Sequence, residues 1–125
     1  MIRYLIDANC VIFALSDARS PVIARMAAAE AGSIAMSTIT FAEIALGTGR
    51  GKPPPPEALE ALLTAIPLSP FDEAAARAYA TLPFRRGRFD RLLAAHALSL
   101  GAVVVTNNVA DFSDVEGLAV EDWTS

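Results

Sequence analysis

Asp7, Glu43, Asp90 and Asp111 are the residues of this 125-residue chain whose type and placement could do chemistry. Asp7 ends the apolar run Tyr4-Leu5-Ile6. Glu43 follows the run Ser33-Ile34-Ala35-Met36-Ser37 within the first turn or two of a helix. Asp90 opens the stretch that leads into Ala102-Val103-Val104-Val105-Thr106, and Asp111 follows that run. If the runs are strands of one parallel sheet, four distant acids meet beyond the carboxyl ends of its strands. Ligands of open α/β sheets gather there. Ionised carboxylates held side by side repel one another unless a cation joins them. Oxygen ligands suit Mg²⁺ or Mn²⁺, ions that favour phosphate substrates. Such a site can generate a hydroxide nucleophile and stabilise a leaving oxygen. It needs no histidine. The chain has one, His96, so a pair of histidines acting as acid and base within the chain is excluded.

Each acid also has a structural reading. Asp7 could cap the helix that follows it, and Asp90 could be an N-cap. Thr40-Phe41-Ala42-Glu43 matches a capping box. Asp111 could form an Asx turn, and Asp114 has a weaker claim on a metal than Asp111. The acids are weak signals singly and gain force from falling together where the sheet would gather them. Arg85, Arg86, Arg88 and Arg91 crowd around Asp90 and could neutralise the phosphates of a nucleic acid strand. A solvated helix start is the alternative, although arginines there oppose the helix dipole. His96, among alanines, reads as structural, and Cys10 as a small buried hydrophobe.

The elements that must position these residues follow from the apolar pattern. Tyr4-Leu5-Ile6 reads as a buried strand, and Asn9 opens a helix carrying Val11, Ile12, Ala14 and Leu15. Ser20-Pro21 starts a second helix, stopped by Gly32. The Ser33–Ser37 run reads as a strand, and a helix over 39–46 is closed by Gly47. The proline-rich 49–56 forbids helix and forms an exposed loop. Helices follow over 57–64, 71–82 and 90–100, with Ile66-Pro67-Leu68 as an edge strand. The run at 102–106 is the clearest strand, and Leu118-Ala119-Val120 a last short one. Strands alternating with helices predict an α/β fold with a mostly parallel sheet flanked by helices. Residues 1–125 read as a single domain.

Composition narrows the class. Hydrophobic residues make up 54% of the chain and charged residues 19%, which excludes disorder for its bulk. No run approaches the roughly 20 apolar residues of a membrane span. The opening seven residues, with an acid at the seventh, differ from a secretory signal, and the single cysteine excludes internal disulfides. Both point to the cytoplasm. A net charge of −4 argues against binding nucleic acid by bulk charge but leaves room for a local basic patch.

Five blocks of this chain resemble the PIN domain. They are Tyr4-Leu5-Ile6-Asp7-Ala8-Asn9, Ser37-Thr38-Ile39-Thr40-Phe41-Ala42-Glu43-Ile44, 89–98, 105–112 and the tail at 115–123. The tail is similar to that of VapC-type toxins in particular. The resemblance runs nearly end to end, in the right order. It implies a parallel sheet flanked by helices and a ribonuclease dependent on Mg²⁺ or Mn²⁺. It also implies a homodimer restrained by a small cognate antitoxin. Carried over by position, Asp7, Glu43, Asp90 and Asp111 are the acids of the site, and Asn9 and Asn108 are supporting polar residues. Two departures stand out. The family usually has Thr or Ser where this chain has Ala8, so a hydroxyl is missing. The stretch from Tyr79 to Asp90 is shorter than in many members.

The chain is therefore expected to be an endoribonuclease, with RNA and an antitoxin as partners and Phe13, Leu15 and Phe41 as candidates for the antitoxin's groove. Two rivals are a catalytically silent binding module and a phosphatase using Asp7 as nucleophile. The second usually needs another acid two residues on, where this chain has Asn9.

Overall fold

A computed structural model describes residues 1–83 and 89–124. The strands are β1 (Tyr4–Ile6), β2 (Ile34–Ser37), β3 (Leu68–Ser69), β4 (Val103–Val105) and β5 (Val120–Glu121). They form one sheet in the order β3-β2-β1-β4-β5, with every neighbouring pair parallel. The helices are α1 (Ala8–Ser16), α2 (Pro21–Ala28), α3 (Thr38–Gly49), α4 (Pro56–Ala65), α5 (Glu73–Tyr79) and α6 (Phe89–Leu100). A short 3₁₀ turn, Val109–Phe112, follows β4.

The strands are short and apolar on both faces because helices cover both. Ile6, Met36 and Val105 point into one cluster with Val11, Val22, Leu62 and Trp123. Their immediate neighbours Leu5, Ala35 and Val104 point the other way, against Leu93, Ala94, Ala97 and Phe112. This period-two alternation along continuous apolar runs splits the core into two layers around the sheet. The tail is tied down by Trp123, which is buried, stacks edge-on with Tyr4 at 5.0 Å and donates its indole N–H to Glu121 at 2.9 Å.

The architecture matches the expected α/β sheet, with differences at several helix ends. Helix α3 runs through Gly47 to Gly49, because the expected stop carries helical backbone and Ser37, not Thr40, is the N-cap. Helix α5 is shorter than the expected 71–82 and begins after Asp72, whose carboxylate accepts from Ala75 N–H at 3.0 Å. Ser20 is the N-cap of α2, with Pro21 at the first helical position, but its hydroxyl makes no capping bond. Gly101, at φ 67°, ends α6 as expected, with Ala102 N–H bonding back to Ala97. Strand β3 lies at the sheet edge, where the preceding Pro67 costs no ladder bond and its carbonyl accepts from Met36 N–H at 3.0 Å.

Candidate functional site

Strand β1 sits in the middle of the sheet, between β2 and β4. The chain leaves β1 toward β2 and later returns to the other side, so a crevice opens beyond the carboxyl ends at this switch point. A cavity of about 160 Å³ lies there. Asp7, Ala8, Asn9, Thr40, Glu43, Asp90, Asn108 and Asp111 line it, together with Ile39, Phe89 and Leu93. The four expected acids, drawn from four separate segments, thus share one cavity with both supporting asparagines.

Each acid is delivered by a different local device. Asp7 follows β1 directly and is the N-cap of α1, with its Oδ1 accepting from Cys10 N–H at 2.9 Å. It is buried, so its capping role and its place in the cavity hold together. Glu43 sits in the second turn of α3. Since Ser37 caps that helix through Ile39 N–H at 3.1 Å, the capping-box reading of Glu43 does not hold. Asp90 lies in the first turn of α6, inside a helix that begins at Phe89, and is not its N-cap. Asp111 sits in the 3₁₀ turn after β4. Its Oδ2 accepts from the Asn108 side-chain amide at 2.5 Å. Asn108 is itself held by its backbone N–H, which donates to Thr106 Oγ1 at 3.0 Å.

The electrostatics carry the mark of crowded acids. The Glu43 carboxyl is pushed above its ordinary value, first by lost hydration and then by the charges of Asp90 and Asp7. Burial, and then the charge of Asp7 and a hydrogen bond to it, push the Cys10 thiol up. Cys10 is therefore an inert buried thiol, the small buried hydrophobe that the sequence suggests. Among the described residues, no group of three histidines, cysteines or acids closes into a ready-made cage. The donor set is nonetheless all oxygen and amide, without sulfur or imidazole, which suits ions that keep several waters. The cavity has room for such waters.

Two residues that sequence reasoning did not weigh as part of the site emerge here. The Thr40 hydroxyl belongs to a buried residue lining the same cavity as Ala8, where a family hydroxyl is missing. Its signal lay in the sequence three residues before Glu43, but the capping-box pattern accounted for it. Ser37 is the other. His96 is buried between two serines, with Nδ1 2.8 Å from Ser37 Oγ and Nε2 3.3 Å from Ser69 Oγ. The imidazole therefore braces the cap of the helix that carries Glu43, and its structural reading holds.

The expected arginine cluster divides. Arg85, Arg86 and Arg88 lie outside the described residues. Arg91 departs from its expected role as an RNA contact. It is 3% exposed, and its guanidinium donates to Asp114 Oδ1 at 2.9 Å and to the Pro83 carbonyl at 3.2 Å. The same ion pair takes Asp114 away from the cavity, which it does not line.

Known proteins resemble the chain over nearly all its length. The PIN domain family matches residues 4–118. The tRNA(fMet)-specific endonuclease VapC of Shigella flexneri is 30% identical over 133 residues, covering 99% of this chain and 100% of that protein. The solved structure of VapBC-1 from nontypeable Haemophilus influenzae covers 100% of both chains at 28% identity, with a TM-score of 0.82. A DNA-bound VapBC from Salmonella typhimurium covers 98% of this chain and 99% of its own at 27% identity, with a TM-score of 0.79.

Proposed function

The chain belongs to the PIN domain family, and from that premise we propose that it is a metal-dependent endoribonuclease toxin restrained by a cognate antitoxin. The observation that carries this reading is the single cavity lined by Asp7, Glu43, Asp90 and Asp111 at the switch point of the sheet. These four acids would hold one or two Mg²⁺ or Mn²⁺ ions, directly or through water. Such an ion, when bound, supplies an acidified water and neutralises charge on the phosphate.

The chain's own groups set the stage for that chemistry. The N-cap bond from Cys10 fixes Asp7 at the mouth of β1. Asn108 fixes Asp111 by donating its side-chain amide to the Oδ2 oxygen. Thr40 and Asn9 offer a hydroxyl and an amide to the same space. The mutual repulsion felt at Glu43 is relieved when positive charge enters, so the cavity favours a cation over a proton as pH rises. Cleavage by water in line leaves 5′-phosphate and 3′-hydroxyl ends, because the RNA 2′-hydroxyl takes no part.

The antitoxin reading is supported by an apolar depression of about 250 Å³ between α1, α2 and α4. Val11, Ala14, Leu15, Ile23, Met26 and Leu62 are among its lining residues. Of the residues expected there, Leu15 belongs to it. Phe13 lines a different depression, and Phe41 packs against the core. Among the described residues, no helix is long and apolar enough to cross a membrane. A cytoplasmic homodimer is part of the proposal.

The test is to incubate the chain with mixed cellular RNA in Mg²⁺ or Mn²⁺, with EDTA and Asp90→Asn as controls, and to map the ends. Discrete metal-dependent cuts with 5′-phosphates, lost in a variant that still melts cooperatively, are expected. Ends carrying 2′,3′-cyclic phosphate would overturn the mechanism. A folded chain that binds metal and cuts no RNA would favour the silent binding module.

A further inference from the structure

Resting on the ribonuclease reading, we propose that Arg50 and Lys52 form a phosphate subsite that holds the RNA backbone beside the bond being cut. A second depression, of about 230 Å³, adjoins the acid cavity and shares Ala8, Asn9 and Glu43 with it. Arg50, Lys52 and Pro53 complete its lining together with residues of α1 and α3. An RNA strand is a polyanion, and a cavity lined by four carboxylates repels it. Productive approach needs positive charge next to the acids, and these two side chains supply it.

Both cations are exposed and available. Among the described residues neither makes an ion pair, whereas Arg25, Arg77 and Arg91 are committed to Glu121, Glu73 and Asp114. The turn that carries them is built in advance. The backbone N–H groups of Arg50 and Lys52 donate to the Gly47 carbonyl at 3.0 and 2.9 Å, and the Thr48 hydroxyl donates to the Pro54 carbonyl at 2.7 Å. Gly51, at φ 81°, reverses the chain between the two cations, a conformation that a side chain would strain. Backbone already fixed in the free protein loses less entropy when a ligand binds. The subsite therefore follows from the end of α3 and the proline-rich loop that pins it.

The experiment compares the full chain with an Arg50→Ala/Lys52→Ala double variant. Arg3→Ala serves as control, since Arg3 precedes β1 and lies at the opposite end of the sheet from Asp7. Binding of mixed cellular RNA is measured with Mg²⁺ in an Asp90→Asn background across a range of salt, and cutting is measured in the active chain. The double variant is expected to bind about tenfold more weakly at low salt, with the slope of log K against log salt shallower by about two. Its KM rises while kcat is kept, and Arg50→Lys/Lys52→Arg restores most of the binding. An unchanged salt slope and KM in the double variant, beside an active parent, would overturn the subsite alone. A changed melting temperature with unchanged binding would do the same, leaving the cations a helix-end role. A parent that neither binds nor cuts RNA would overturn the ribonuclease reading and the subsite with it.

Discussion

Two neighbouring regions use the same residue types in opposite ways. In one, Asp90 and Asp111 face a cavity with Asp7 and Glu43, and charge of one sign is concentrated. In the other, one residue after Asp90 and three after Asp111, Arg91 and Asp114 join across 2.9 Å, and charge is cancelled. In the first arrangement lost hydration, and then the charges of Asp90 and Asp7, raise the Glu43 pKa, a cost that serves binding and chemistry. The second ties the start of α6 to the segment after the 3₁₀ turn and keeps a buried guanidinium paired. Position along α6 decides between them, because successive helical residues point about 100° apart. A titratable residue near a site thus takes its role from the face it occupies, not from its distance along the chain.

The sharpest way to test that contrast is to remove one member of each region. Asp90→Asn is expected to lower ribonuclease activity by about 10²–10³-fold, as the loss of one preorganised electrostatic group does. The variant should keep its fold and melt cooperatively, so that the loss is one of chemistry. Asp114→Ala should do the reverse. It leaves the Arg91 guanidinium buried with only the Pro83 carbonyl and no acid beside it, at a cost of about 3 kcal/mol, the low end for a broken buried pair. That low end fits Asp114, whose side chain is 26% exposed. Denaturant unfolding measures the loss. Adding Arg91→Met should recover much of it. If Asp114→Ala instead abolished activity in a fully stable protein, the division of labour would be wrong.

A smaller effect probes how the cavity is held. Asn108→Ala frees Asp111 from its amide partner, and activity should fall about 10–100-fold, the range for outer groups that orient ligands. Stability should change little, since Asn108 is exposed. Activity titrated against metal concentration would show the loss as weaker metal use.

The smallest effect concerns the brace behind α3. Burial holds the His96 pKa below its ordinary value of 6.5, against an opposing pull from Asp72. The folded state therefore binds fewer protons than the unfolded chain, and stability rises with pH in that window. The stability tied to neutral His96 is fully present above 6.5 and is lost as pH falls below it. Unfolding free energies of the parent and His96→Gln, measured between pH 7.5 and pH 5.5 (buffer values on the order of those bracketing an imidazole pKa), should show a steeper fall in the parent. Parallel curves would mean that His96 does not titrate against folding.

Much of the molecule could be read from the chain alone. The apolar runs at 4–6, 102–106 and 33–37 became β1, β4 and β2, because only buried strands need continuous apolar residues. The alternation of strands and helices determined the parallel sheet, and the parallel sheet determined which ends gather ligands. The four acids followed from that rule, since Asp7, Glu43 and Asp111 lie on segments that leave the carboxyl end of a strand and Asp90 opens the helix that leads into one. What the chain alone left open were the choices between local and distant partners. Thr40 and Glu43 have capping-box spacing, but the box went unused because Ser37, the last residue of β2 and fully buried, caps the helix first. Gly47 has the residue type of a helix stop, yet the helix ran on to where Gly51 could turn it.

Arg91 marks the limit most clearly. By sequence it is one of four crowded arginines beside an acid. Only the packing of α6 against the segment after β4 decided that it would be buried and paired with Asp114, 23 residues away. The neighbourhood of Arg50, Lys52 and the acid cavity was decided in the same way, by the fold of α3 against α1. Periodicity and composition act over a few residues and therefore determine elements and their order. Ion pairs, shared cavities and burial depend on which faces meet, and that is settled only when the whole sheet and its helices pack together.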